Sequence, residues 1–220
     1  MKISTAPSSR ARLTCRASRV CPSTSSHALS RPLREFKESF PEHAITIAPG
    51  DTLELVDALL HQRIDLALSL AASNEPRLEF HPLFTDELHF IVAALHPWAK
   101  AGRADRSDIP RQNYILYNKR SVTFRLVEDY FRREQRVLNT VIELGSMEAT
   151  KELVKLGIGI SILAPWIAQK EIEEGSLVAL PLGRRKLQRN WGILHWRGKR
   201  LNLAEETFIG LCESASVRFS

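Results

Sequence analysis

Short apolar runs of strand length alternate with amphipathic stretches of helix length along most of this chain. Ala44–Ala48 and Ile64–Leu70 are aliphatic, and apolar residues recur at helical spacing between them, from Leu55 to Leu60. These segments predict a compact β-α-β unit. Strands that alternate with helices in this way are typical of parallel sheets covered by helices on both faces. The pattern therefore predicts the α/β fold class.

A second series of the same kind occupies the middle of the chain. Strands are predicted at Tyr114–Tyr117, Val137–Leu144 and Ile158–Leu163, with helices that begin near Ser121 and Ser146. Two series predict two lobes with a cleft between them. Ligands of such sheets bind beyond the carboxyl ends of the strands, so the cleft is the predicted binding site.

The late run Trp191–Trp196 and the helix after it have no partner in the second series. We therefore predict that they return to the first lobe, so that two strands cross between the lobes. The predicted division has a basic, irregular leader at residues 1–28, which includes a degenerate candidate for the first strand at 12–18. Residues 29–86 plus 190–220 form lobe I, and residues 87–189 form lobe II.

The net positive charge of the chain comes from its first 40 residues. The first 40 residues carry eight basic and two acidic residues, and the remaining residues carry 23 of each. A charge-balanced body predicts no specific DNA binding, and the leader is interpreted as a solvated tail, with a nucleic-acid arm or a transit peptide as alternatives. The sequence has no apolar run of about 20 residues for a membrane span and no apolar signal segment, so the cytoplasm is expected.

The residues that usually carry metal or catalytic chemistry show no recognisable spacing. Cys15, Cys21 and Cys212 fit no zinc pattern and are expected to be free thiols. His89 and His195 are expected on the two crossover strands, near each other, either as structural histidines or as a pH-sensing hinge. No nucleophile elbow, phosphate loop or dinucleotide fingerprint occurs. We therefore predict no metal, no cofactor and no enzyme activity.

Several segments, taken in order and spacing, resemble the effector domain of LysR-type bacterial transcriptional regulators. The resemblance runs from about Leu29 to Cys212. The segments that carry it are Leu33–Pro41 (LREFKESFP), Gly50 with Leu53–Leu60, Asp65–Leu68 (DLAL), Leu83–Val92 (LFTDELHFIV) with His96–Ala99 (HPWA), and Glu152–Pro165 (ELVKLGIGISILAP).

The resemblance implies a two-lobed, periplasmic-binding-protein-like fold that binds a small effector in the cleft and adjusts a separate DNA-binding domain. A recognisable DNA-binding domain is not expected in this chain, because Met1–Ser26 is too short and too weakly patterned for a helix-turn-helix. The resemblance also implies an antiparallel homodimer, or a higher homo-oligomer, through Leu29–Phe40 and Phe124–Arg133. A solute-binding protein of a transport system, which shares the fold, is the alternative function.

The candidate effector-binding residues lie where strands lead into helices or crossovers. Hydroxyl side chains there serve as helix N-caps, and free backbone N–H groups beside them favour an anion, so we predict a small anionic effector, a carboxylate. The candidates are Ser69, Thr85, Ser121, Val122, Thr123, Ser146 and Met147, of which the positions at 121–123 and 146–147 are those that the resemblance implies line the cleft.

Overall fold

The computed structural model describes residues 12–18, 22–71 and 75–216. Its strands are β1 (Arg12–Ser18), β2 (Ala44–Gly50), β3 (Leu66–Leu70), β4 (Leu78–Glu87), β5 (His89–Ala93), β6 (Asn113–Tyr117), β7 (Asn139–Leu144), β8 (Ser161–Leu163), β9 (Leu177–Pro181) and β10 (Gln188–Trp196). Its helices are α1 (Pro22–Ser39), α2 (Thr52–Leu60), α3 (Pro97–Ala101), α4 (Val122–Arg133), α5 (Met147–Lys155), α6 (Gln169–Glu173) and α7 (Leu203–Ser216), with short 3₁₀ turns at Ile109–Arg111 and Pro165–Ala168.

The first sheet contains five strands in the order β2-β1-β3-β10-β4. The strands β1, β2 and β3 are parallel, whereas β10 runs antiparallel to both β3 and β4. The late strand therefore lies between the third and fourth strands of this sheet. The chain therefore leaves the first sheet through β4 and returns to it through β10, and β5 to β9 lie between these two strands in the sequence.

Both faces of the first sheet are covered by helices. Successive side chains of β3 point to opposite faces of the sheet, and they pack into a cluster on each face. Leu66 and Leu68 pack with Phe36 of α1 and Phe208 of α7, whose rings meet edge to face at 5.7 Å. Ala67 points to the opposite face and belongs to the cluster formed by α2.

The second set of strands comprises β8-β5-β9, in which β5 is antiparallel to both neighbours, and the parallel pair β6-β7. A parallel bridge between Tyr114 and Ile160 joins the pair to the segment that leads into β8. Phe90 of β5 contacts the rings of Trp98, Tyr114 and Phe131. The strand β5 is therefore the centre of the second core.

The start of the fold is more regular than the expected leader, and β1 coincides with the candidate first strand at 12–18. The strand β1 pairs in parallel with β2 along its whole length, and α1 begins at Pro22 rather than near Leu29. Proline suits the first position of a helix because its missing N–H would have no partner there. Residues 1–11 and 19–21 of the leader, with Cys21, lie outside the described residues. The proposed boundaries between the two lobes remain a prediction.

The expectation that His89 and His195 lie near each other is wrong. His195 is paired with Glu79 near the start of β4, whereas His89 begins β5, beyond the end of β4. The strands β4 and β10 are antiparallel, so residue numbers along them run in opposite directions. The two histidines consequently sit toward opposite ends of the crossover.

Candidate functional site

A cavity of about 310 Å³ lies where α2 of the first sheet faces α4. Such a volume is at the lower end of the range that holds small ligands. We call it the interlobe cavity. Its walls come from α2, the end of β3, the first two turns of α4, and the start of β10. The residues that line it are Leu53, Leu70, Ala71, Val122, Arg125, Leu126, Gln188, Arg189 and Asn190.

The N-terminus of α4 is fixed by its own cap. Ser121 has an extended backbone, with φ −71° and ψ 150°, and its Oγ accepts a hydrogen bond from the Phe124 N–H at 3.1 Å. The Ser121 N–H in turn donates to the carbonyl of Asn118 at 2.9 Å. The first turn of α4 therefore holds Val122 and Thr123 in defined positions beside the cleft.

A buried ion pair between Asp86 of β4 and Arg189 of β10 lies next to this turn. Arg189 Nε donates to Asp86 Oδ1 at 2.9 Å, and Arg189 Nη2 donates to Asp86 Oδ2. The indole N–H groups of Trp166 and Trp191 also donate to Oδ2, at 2.9 and 3.0 Å. This carboxylate therefore receives four hydrogen bonds, which offset the cost of removing it from water.

The remaining terminal nitrogen of Arg189 connects the crossover strands to α4. Its Nη1 donates to Thr123 Oγ1 at 2.9 Å. A small cavity of about 10 Å³, room for about one water molecule, lies beside this contact, and Thr123, Met147 and Arg189 help to line it.

A second set of contacts crosses the cleft near the start of α2. The Tyr117 hydroxyl donates to Asp51 Oδ1 at 3.2 Å, and Asn118 Nδ2 lies 3.5 Å from Asp51 Oδ2. The Asp51 N–H is itself held by Glu54 at 3.0 Å. Asp51, which precedes α2, thus links the first sheet to the loop that leads into α4.

The predicted site residues divide into three groups: residues that line a cavity, residues bonded within or between strands, and the two helix caps. Val122 lines the interlobe cavity, whereas Thr123 and Met147 line the small cavity of about 10 Å³. Ser69 is completely buried, and its Oγ donates to the Leu70 carbonyl at 3.3 Å. Thr85 is exposed and donates to Asn190 Oδ1 at 2.9 Å. Of the predicted residues, the structure therefore places only Val122 at the interlobe cavity, and it leaves Ser69 and Thr85 bonded within or between strands.

Ser121 and Ser146 act as caps in this conformation. The Oγ of Ser146, an exposed residue, accepts from the Ala149 N–H at 3.3 Å. Glu148, in the first turn of α5, forms an ion pair with Lys151 at 3.1 Å. Burial alone would lower the pKa of Lys151, but the hydrogen bonds that its ammonium donates to Glu171 and Glu148 outweigh that effect and raise the pKa.

The structure adds residues at the cleft that the sequence pattern did not indicate, chiefly Arg125, Arg189 and Asn190. Arg125 forms no ion pair with any residue in the described part of the chain. The sequence did contain an indication of the ion pair between Asp86 and Arg189, because these opposite charges lie on or next to the two segments expected to cross between lobes. Their pairing depends on the register of β4 and β10, which local patterns do not specify.

Across residues 12–18, 22–71 and 75–216, no helix is long and apolar enough to cross a membrane. In the same part of the chain, no group of three or more His, Cys, Asp or Glu side chains is arranged to hold a metal ion.

Residues 19–216 match the family model of the LysR substrate binding domain. Among curated relatives, the HTH-type transcriptional activator CmpR of Synechocystis sp. is 25% identical over 84% of this chain and 61% of its own length. The HTH-type transcriptional regulator CfxR of Cupriavidus necator is 31% identical over 84% of this chain and 58% of its own length. The chain thus spans about three fifths of the length of these relatives.

Solved structures with the same fold include two that contain small molecules. The effector binding domain of QuiR in complex with shikimate has a TM-score of 0.80 and 21% identity, over 96% of this chain and 99% of that one. The regulatory domain of Synechocystis CcmR in complex with 2-PG has a TM-score of 0.83 and 23% identity, over 93% and 97%. At this identity the likeness establishes the fold, a two-lobed α/β architecture as expected.

Proposed function

Because the chain belongs to the family of LysR substrate binding domains, we propose that it is the effector-sensing part of a cytoplasmic transcriptional regulator and that its effector occupies the interlobe cavity. The curated relatives are named as transcriptional regulators, which favours this reading over a transport protein or an enzyme. The structural relatives that carry shikimate and 2-PG support a small-molecule effector for this chain also.

The observation that carries the proposal of an anionic effector is Arg125. Its side chain lines the interlobe cavity and has no carboxylate partner among the described residues. Charged groups that line a ligand cavity without a protein partner favour a ligand of opposite charge. The neutral donors of Gln188 and Asn190 line the same wall. A small carboxylate or a similar oxyanion is therefore the proposed effector class.

The test begins with the chain purified without denaturation. Native mass spectrometry identifies any small molecule that co-purifies, and isothermal titration calorimetry then measures its Kd. Arg125→Gln should weaken binding by about 10- to 100-fold, the value of a hydrogen bond to a charged group. Arg133→Gln is the matched control, because Arg133 lies on the same helix and does not line the interlobe cavity. Equal Kd values for the parent and Arg125→Gln would rule out this site.

We also propose that the chain forms a homodimer through α1 and α4, and that the edge strand β7 next to α4 contributes to the interface. The strand β7 beside α4 pairs only with β6 among the described strands, and Val137 and Val141 are exposed on and next to it. Edge strands with exposed apolar side chains favour association. Sedimentation velocity at micromolar concentration should detect a dimer, and Val141→Lys should shift it toward monomer. A parent chain that sediments only as a monomer would contradict the proposal.

We propose that this chain alone does not bind operator DNA specifically. The balanced charge beyond the first 40 residues supports this view. A mobility-shift assay should find only weak binding that disappears steeply as salt rises. Sequence-selective binding that resists salt would overturn it.

A further inference from the structure

A second and larger cavity, of about 780 Å³, lies between α4 and the start of β7. Its volume falls within the range that holds small ligands. Among the described residues, its lining shares none with the lining of the interlobe cavity. We call it the α4–β7 groove. The residues that line it are Pro110, Leu116, Lys119, Phe124, Val127, Glu128, Phe131, Arg132, Arg136, Val137, Leu138, Asn139 and Thr140.

The floor of the α4–β7 groove is apolar. Leu116 of β6 and both Val127 and Phe131 of α4 line it and belong to the second core, and Leu138 packs against that core. Val137, which lines the same groove, is 84% exposed although it is aliphatic. A lining of this composition favours the apolar part of a ligand, because contact with it removes apolar surface from water.

The charged side chains around this floor are mainly basic. Lys119, Arg132 and Arg136 line the groove, and Glu128 is the only acid among the described residues of the lining. Lys119 and Arg132 each form an ion pair with a nearby acid. Arg136 forms no ion pair with any described residue, and its Nη1 donates to the Arg106 carbonyl instead. Because a guanidinium carries five N–H donors, Arg136 has donors left for a ligand.

The outward side of α1 from a second copy does not match this apolar floor. The apolar side of α1 already packs within its own subunit, where Phe36 is fully buried. Between residues 31 and 40, the exposed side chains of α1 include Arg31, Arg34, Lys37 and Glu38. Most of these carry the same charge as the rim of the groove. A partner's α1 would therefore cover α4 without filling the floor beside it.

We propose that the α4–β7 groove is a second ligand site, separate from the interlobe cavity, and that it takes an amphipathic anion such as a medium-chain carboxylate. The apolar tail lies on the floor formed by Leu116, Val127 and Phe131, and the carboxylate binds the guanidinium of Arg136. The same positive charges disfavour an amphipathic cation, and a short acid lacks the apolar surface that the floor requires. The inference goes beyond effector sensing at the interlobe cavity, because it uses none of the residues that line that cavity.

The experiment compares three probes by isothermal titration calorimetry at constant ionic strength: sodium octanoate, sodium butanoate and octyltrimethylammonium chloride. The purified chain should bind octanoate about 10-fold or more tightly than butanoate, because the longer tail removes more apolar surface from water. It should bind octanoate about five-fold or more tightly than octyltrimethylammonium, which has the same tail and the opposite charge. Sedimentation velocity under the same conditions records whether the chain is monomeric or dimeric.

Two variants of one exposed residue test the charge of the groove without disturbing the core. Val137→Glu adds an acid to the lining and should weaken octanoate binding by about three-fold or more, whereas the equally polar Val137→Lys should keep the Kd within about two-fold of the parent value. Arg136→Gln should weaken octanoate binding by about 10-fold, the value of a hydrogen bond to a charged group. Arg133→Gln, on the same helix but outside the groove, is the control and should leave the Kd unchanged.

Four results would overturn the inference. One is equal binding of octanoate and octyltrimethylammonium by the parent, and another is an equal Kd for octanoate in the parent and Arg136→Gln. A third is loss of octanoate binding in Arg125→Gln but not in Arg136→Gln, which assigns the probe to the interlobe cavity and leaves the proposed effector-sensing function standing. The fourth is binding only by the monomer that Val141→Lys favours, which identifies the groove as a contact with a second copy.

Discussion

Asp86 and Arg189 are 103 positions apart in the sequence and form a buried ion pair across the two crossover strands. Arg189 also stacks its guanidinium over the Trp191 ring, with 5.3 Å from Cζ to the ring centroid. The pair therefore combines charge, hydrogen bonds and aromatic contact where the two lobes meet. Its stability contribution can be tested without knowing the effector.

Asp86→Asn should lower the free energy of unfolding by about 3–5 kcal/mol, because it leaves Arg189 buried without its counter-charge. Urea denaturation of parent and variant measures the difference. Glu38→Gln is the control: it removes an exposed ion pair with Arg34 at 3.8 Å and should change stability by less than about 0.5 kcal/mol. A change for Asp86→Asn as small as the control would show that the pair contributes little.

Gly192→Ala should destabilise the crossover by about 1–3 kcal/mol or more. A Cβ at Gly192 would lie 2.3 Å from the His81 carbonyl oxygen and 2.5 Å from the Phe80 ring, beside the register shift between Trp191 and Gly192. Gly210→Ala in α7 meets nothing within 4 Å and should instead stabilise by about 0.5–1 kcal/mol. Thermal melts of the two variants should therefore move in opposite directions.

Tyr114→Phe should cost about 1 kcal/mol at pH 8, since the Tyr114 hydroxyl donates to the Ile109 carbonyl at 2.9 Å. Burial, with Asp108 nearby, raises the pKa of Tyr114 far above its usual value. The neutral phenol therefore contributes stability below the unfolded pKa of about 10, and that stability is lost as pH rises toward the folded pKa. Urea unfolding between pH 8 and 11 should show the parent losing its advantage over the variant. A difference in unfolding free energy between parent and Tyr114→Phe that does not change with pH would contradict the raised pKa of Tyr114.

Ser121→Ala should lower stability by about 1 kcal/mol, as expected for loss of an N-cap. Ser146→Ala should cost less, because its cap is longer, at 3.3 Å rather than 3.1 Å, and exposed. Chemical denaturation measures the free energy of unfolding of both variants, and the loss should be larger for Ser121→Ala than for Ser146→Ala. If both fold and bind the identified effector as tightly as the parent, these hydroxyls serve only as caps.

The sequence by itself determined the alternation of strands and helices, the cap at Ser146 and the family resemblance, and it left the cap of α4 open between Ser121 and Thr123. These features depend on contacts between residues three or four positions apart, or on side chains that alternate along one strand. Local patterns also placed Val122 and Thr123 at the start of α4. They did not show that α1 begins at Pro22.

Only the tertiary structure decided which polar side chains meet at the cleft. Ser69 is enclosed because β10 pairs with β3 beside it, and Thr123 contacts Arg189 because β4 and β10 bring that arginine to α4. Both outcomes depend on strand register and on packing between segments about 100 residues apart. A shift of one residue in register turns a side chain to the other face of its sheet, so no local pattern could have specified them.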